Sequence, residues 1–145
     1  MENDRLFTTL AFAGAAPFAA VALLSLFAVE AIPAFGNVDD IIGSYAVAII
    51  CFLAGTHWAF QLIRPQSTPF DLFISSNVAV VVVWLAYLAL DTAWLLAIAA
   101  ITFIALLAVD YRLHRDGLVS TRYFRARAIA TVVATTSLLI VLLNA

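Results

Sequence analysis

The sequence has no lysine and a single cysteine, Cys51, and only 11% of its 145 residues are charged. An ordinary soluble domain carries roughly 25% charged and about 45–50% apolar residues. Here 66% are apolar, and the mean hydropathy is +1.10. A body this small leaves a large share of its surface exposed, so it cannot hide that many apolar side chains from water. The scarcity of charge excludes a soluble globular domain and a disordered tail, and a net charge of −2 excludes a nucleic-acid binder. One cysteine cannot close an intrachain disulfide, so it carries no message about an oxidising compartment. A phosphate loop, a dinucleotide fingerprint, zinc-ligand spacing and a nucleophile elbow are all missing. Their absence predicts a protein that is not an enzyme and has no cofactor. A basic leader is missing too. Residues 1–5 are at least as acidic as basic, and the apolar run after them is over twenty residues long. A signal-peptide core runs about 7–15 residues, so the first run predicts a retained membrane helix.

What remains is apolar run after apolar run. A hydrocarbon core about 30 Å thick needs about 20 apolar residues of helix. Five runs qualify, at about 6–29, 41–63, 70–90, 92–110 and 126–143. They are apolar on all sides, which excludes the alternation of a membrane strand, and backbone groups in lipid must pair within the segment. The expectation is an all-α integral membrane bundle of five transmembrane helices in a single domain. The connectors agree. Pro33, Gly36 and Asn37 mark a turn-rich loop, and Arg64-Pro65 ends the second helix. Thr68, Pro69 and Asp71 suit a helix start as cap, first-turn proline and capping-box acid. Asp91 or Thr92 can cap the fourth helix.

With five crossings, all seven arginines fall on one side: Arg5, Arg64, Arg112, Arg115, Arg122, Arg125 and Arg127. Glu30, Asp39, Asp40 and Asp91 fall on the other. Short basic loops stay inside, so the N-terminus is expected in the cytoplasm and the C-terminus outside, in a bacterial inner membrane. An odd helix count does not divide into two inverted halves, which argues against a secondary transporter. Small residues are expected where helices meet: Ser44, Ala48, Cys51, Gly55 and Ala59 on helix 2, Ala11, Ala15 and Ala19 on helix 1, Ala93, Ala97 and Ala100 on helix 4, and Ala126 and Ala130 with Thr131 and Thr135 on helix 5. Close packing within the bundle, or a homo-oligomer or partner interface, would use them. Trp94 and Tyr123 sit near span ends as interfacial aromatics.

Strongly polar groups inside a membrane are costly, so each is a functional candidate. His57, Gln61 and Arg64 share one face of helix 2, at spacings of four and three. Asp71, Ser75, Ser76 and Asn77 open helix 3 at the same surface, Asp110 ends helix 4 there, and Arg125 and Arg127 begin helix 5. His57 is expected at the depth of Ser75, Ser76 and Asn77, either locking two helices or lining a polar pocket. Asp110 with Arg127 or Arg64 reads as an interfacial ion pair. Haem needs two axial side chains, and the spans hold only His57; Cys51 and His57 face different ways, so no metal site is expected. A serine–histidine nucleophile pair lacks its elbow. The five arginines between Arg112 and Arg127 suit anionic lipid headgroups or a docked partner.

The stretch from Ser44 to Trp58, with Tyr45, Gly55, His57 and Trp58, resembles the uncharacterised family called domain of unknown function 3429, the transmembrane protein 69-like family. Val109-Asp110-Tyr111-Arg112 and Arg122-Tyr123-Phe124-Arg125-Ala126-Arg127 are similar to its later segments. Ala54 and Ala59 stand where that pattern has glycine, and helix 3 lacks its proline. The resemblance implies a shared architecture without an assigned activity, and its bacterial and mitochondrial membership suits an energy-converting membrane. The leading expectation is an accessory, scaffold or assembly subunit of a larger membrane complex, in contact with lipid and with other subunits. The alternative is a quinone, tetrapyrrole or lipid binder with a pocket near His57 and Trp58.

Overall fold

The computed structural model describes residues 2–64, 68 and 70–144, with residues 2–5 and 7 described by backbone alone. Five helices account for most of it: α1 (Glu2–Leu26), α2 (Val38–Ile63), α3 (Leu72–Ala89), α4 (Thr92–Arg115) and α5 (Thr121–Asn144). Each contains a stretch long and apolar enough to cross a membrane. Only 22% to 39% of each such stretch is buried inside the bundle. The remainder turns outward side chains such as Phe52, Ile63, Ile101 and Leu143. A continuous apolar exterior on helices whose backbone is internally satisfied is what a bilayer solvates, so this is a multi-pass membrane bundle.

The helix ends explain the boundaries. α1 closes in a Schellman turn, in which Val29 N–H reaches Leu24 O and Ala28 N–H reaches Ser25 O, both at 3.0 Å. Ala28 takes the left-handed position at φ 55°. α4 closes in the same way on Gly117, φ 73°, with Leu118 N–H on Leu113 O at 2.9 Å. Ser120 caps α5 by accepting from Tyr123 N–H at 3.1 Å. The helices of this hairpin therefore run past the apolar runs, and Arg112, Arg115, Arg122 and Arg125 stand on helix rather than on a long loop. A helix can leave the hydrocarbon without ending, because its hydrogen bonds are its own. Asp71 caps α3, accepting from Phe73 and Ile74 N–H, and Asp91 caps α4 through Trp94 N–H. The 31–37 loop holds a small antiparallel hairpin, β1 (Ala31–Ile32) on β2 (Gly36–Asn37). The roles expected of Pro65 and Pro69 lie outside the described residues, as does the Arg5 side chain.

α5 packs between α1 and α4, α3 lies against α2 and α4, and α2 touches the other four helices. Two ends result. One carries the α2–α3 and α4–α5 connections with their arginines, and the other carries the acidic connections. At the acidic end Thr92 donates to Asp40 at 2.9 Å, tying α4 to α2. The core is Phe18, Ile42, Ile50, Leu96, Phe103 and Leu138 with their neighbours.

One expectation is corrected. Ser44, Ala48, Gly55 and Ala59 face outward, with Cys51 partly exposed, while Ile42, Ala46, Ile50, Leu53 and His57 face in. Both faces of α2 are apolar, so composition does not choose between them. The close approach of α2 to α4 instead falls at Gly43, where an added Cβ would lie 3.0 Å from Leu95 Cδ2.

Candidate functional site

Within the α4–α5 hairpin, Asp110 stands as far before Gly117 as Arg127 stands after Ser120. Antiparallel helices joined by so short a turn bring such positions to equal depth. Arg127 Nε donates to Asp110 Oδ2 at 2.8 Å. From α2, His57 Nε2 meets Asp110 Oδ1 at 2.9 Å. With the carboxylate oxygen accepting, His57 Nε2 is the donating nitrogen. All three residues are buried, with Asp110 fully enclosed. A charge so placed is tolerable only when paired and hydrogen-bonded, and the carboxylate uses both oxygens for this.

Three buried polar atoms here have no protein partner among the described residues: His57 Nδ1, Arg127 Nη2 and Thr131 Oγ1. Arg127 and Thr131 are four apart on α5 and so share a face. That face lines a crevice of about 360 Å³ between α1, α2 and α5. Leu10, Gly14 and Phe18 form its α1 wall, Ile49, Phe52 and Thr56 its α2 wall, and Tyr123, Arg127, Thr131 and Ala134 its floor. Tyr123, Thr56 and Arg127 line the same end of the crevice. The crevice is thus polar toward the arginine end and apolar for the rest of its length. From Tyr123 to Ala134 it spans about 16 Å at 1.5 Å per residue. Its α1 wall is braced by Tyr45, which donates to Gly14 O at 2.9 Å, one turn before Pro17. The volume lies at the lower end of the roughly 300–1,000 Å³ range of small-molecule sites.

The other candidates are placed as follows. Gln61 is buried and accepts from Thr68 Oγ1 and Leu72 N–H, both at 3.0 Å, so it anchors the start of α3. Arg64 caps α2 through its backbone and is exposed. Trp58 packs on Phe73 with ring centroids 4.6 Å apart. Ser75 and Ser76 donate to Leu72 O, and Asn77 donates to Phe73 O, so all three bond back to their own helix. Among the described residues no hydrogen bond joins this cluster to His57, whose Nε2 meets Asp110 instead. Short polar side chains on a helix have their own carbonyls in reach, and that contact needs no partner helix. Asp110 pairs with Arg127, not Arg64, and the pair is buried within the bundle. His57 does not line the crevice; Arg127 stands between. Among the described residues no three His, Cys, Asp or Glu side chains group as a metal site. Thr56, Tyr123 and Thr131 were missed as site residues. The signal for two of them was the spacing 123, 127, 131, one face of α5.

No curated protein and no solved structure matches this chain. A family model does, from residue 3 to residue 143, across all five helices and every residue of the His57–Asp110–Arg127 site. The chain therefore belongs to the family described as a protein of unknown function, DUF3429.

Proposed function

We propose that this chain is a membrane protein that binds a lipophilic small molecule in the crevice between α1, α2 and α5. The reading makes it a binding protein without chemistry of its own. The observation that carries it is Arg127, a buried cation with an unpartnered Nη2, whose side chain lines an otherwise apolar slot. A buried donor left unmatched costs about 1–3 kcal/mol, and more when charged. A bundle needing only glue would be served as well by apolar residues in place of the whole buried pair. His57 and Asp110 act behind Arg127 as positioning residues, holding its Nε edge beside the slot. The same reading places the arginine end of the bundle in the cytoplasm, because short basic connections are retained there. It gives Arg122 and Arg125 anionic headgroups as neighbours.

Native mass spectrometry of gently solubilised protein tests this. A bound lipophilic molecule that disappears in Ala130→Leu, which fills the slot, is the expected result. An empty crevice with stoichiometric companion subunits would replace it with the role of an accessory or scaffold subunit.

A further inference from the structure

α3 lies at the edge of the bundle against α2 and α4, with Leu72, Ser76, Val83 and Ala86 turned inward. Its outward face carries Ile74, Asn77, Val81, Trp84 and Leu88, all exposed. They are spaced by three, four, three and four residues, the repeat with which one helix packs along another. Four of these side chains suit hydrocarbon, and the fifth is a primary amide. With 18 residues α3 is about 27 Å long, no more than the roughly 30 Å hydrocarbon core it crosses. Asn77 comes five residues after Leu72, which puts it about 8 Å inside that core. Its Nδ2 donates to Phe73 O at 2.7 Å, and this uses one N–H. The second N–H and the Oδ1 carbonyl have no partner among the described residues. Hydrocarbon offers them none, and an amide left unmatched there is costly. The side chain is too short to carry its amide to the headgroups.

We infer that a second copy of this chain covers this face, in a two-fold dimer whose α3 helices pack together and whose two Asn77 amides hydrogen-bond each other. Symmetry selects the occupant. All copies enter the bilayer with one orientation, so the two-fold axis runs along the membrane normal and the paired α3 helices are parallel. In such an isologous contact a residue at the axis meets its own copy at equal depth. An amide has both donor and acceptor, so Asn77 is complementary to itself. Interhelical hydrogen bonds of this kind are one of the few forces that join helices in lipid. No residue of α3 lines the crevice between α1, α2 and α5, so the dimer and the binding of a ligand stand independently.

The test begins in the membranes of cells that express the full chain, where every copy has one orientation. In a Cys51→Ser background, Val81→Cys is expected to give a disulfide-linked dimer on oxidation. Ile101→Cys, exposed on α4, is expected to give none. Subunit counting by photobleaching in lipid vesicles, over a series of dilutions, then measures the dissociation constant. Asn77→Leu should weaken the dimer about tenfold, the worth of two interhelical hydrogen bonds. It should not lower the melting temperature of the single chain, since Asn77 bonds only to its own helix. Asn77→Gln keeps the amide and should keep most of the affinity. A dimer undiminished by Asn77→Leu, or one linked through Ile101→Cys and not Val81→Cys, would overturn the α3 contact. Single chains at every dilution would overturn the dimer. Val81→Cys cross-linked to a different protein would then assign the face to another subunit, and no cross-link at all would assign it to lipid.

Discussion

At the scale of single residues, the molecule turns on Asp110. Its carboxylate sits between His57 and Arg127 with no exposure of its own. Asp110→Leu leaves Arg127 buried without a counter-charge and is expected to cost about 3–5 kcal/mol. The double variant Asp110→Leu with Arg127→Met removes both charges, and its melting temperature in detergent should recover most of that loss. If the double variant melts no higher than the single one, the pair is not a compensating unit. His57, Asp110 and Arg127 were legible as intramembrane polar groups, and Asp110 with Arg127 as one of two possible ion pairs, but the contact of His57 with Asp110 was not. Asp110 was read as an interfacial charge because hydropathy ends the fourth span at that residue. The carboxylate is enclosed because α2 and α5 bring His57 and Arg127 against it, and hydropathy along α4 does not contain that contact.

At the scale of elements, the two Schellman turns make opposite predictions. Gly117 holds φ 73° at the end of α4, so Gly117→Ala should destabilise by about 1 kcal/mol, the usual cost of a left-handed non-glycine residue. Ala28 holds φ 55° at the end of α1 and already bears that cost. Ala28→Gly should therefore stabilise, by about 1–2 kcal/mol of relieved strain less the roughly 0.4–1 kcal/mol that glycine's freedom adds to the unfolded chain. Thermal unfolding in one detergent reads both, and a shift of the same sign in the two variants would sink the account. Gly43 gives a third case. A Val there would drive its side chain into Leu95, so Gly43→Val should separate α2 from α4 and lower the melting temperature, an overpacking effect of about 1–3 kcal/mol. Gly117 was a readable stop signal for α4, stronger than the charges that precede it. Gly43 was not readable as a contact, since the face of α2 that turns inward is decided by its neighbours.

At the scale of the whole molecule, the bundle predicts where its one cysteine lies. Cys51 is at the middle of α2, partly exposed on the outward face. In sealed vesicles a charged maleimide that cannot cross the bilayer should leave it unlabelled from either side. Labelling should become complete after denaturation. Labelling in intact vesicles would mean that water reaches the centre of α2, contrary to a span there. The outward turn of the α2 small-residue row belongs to this scale as well, because helices in lipid meet by shape and not by hydrophobicity.

The number of helices, their approximate spans, the gathering of arginine at one end and the family were all present in the order of residues. Lipid demands long apolar runs with internally paired backbones, and that demand is local along the chain. The inward face of each helix, the meeting of His57 with Asp110 and the slot beside Arg127 were decided only by the packed bundle. Every face of these helices is apolar, so periodicity carries no inside and outside. Only the fit of Gly43 to Leu95, of Phe18 to Phe103 and of Asp110 between its two partners selects one arrangement.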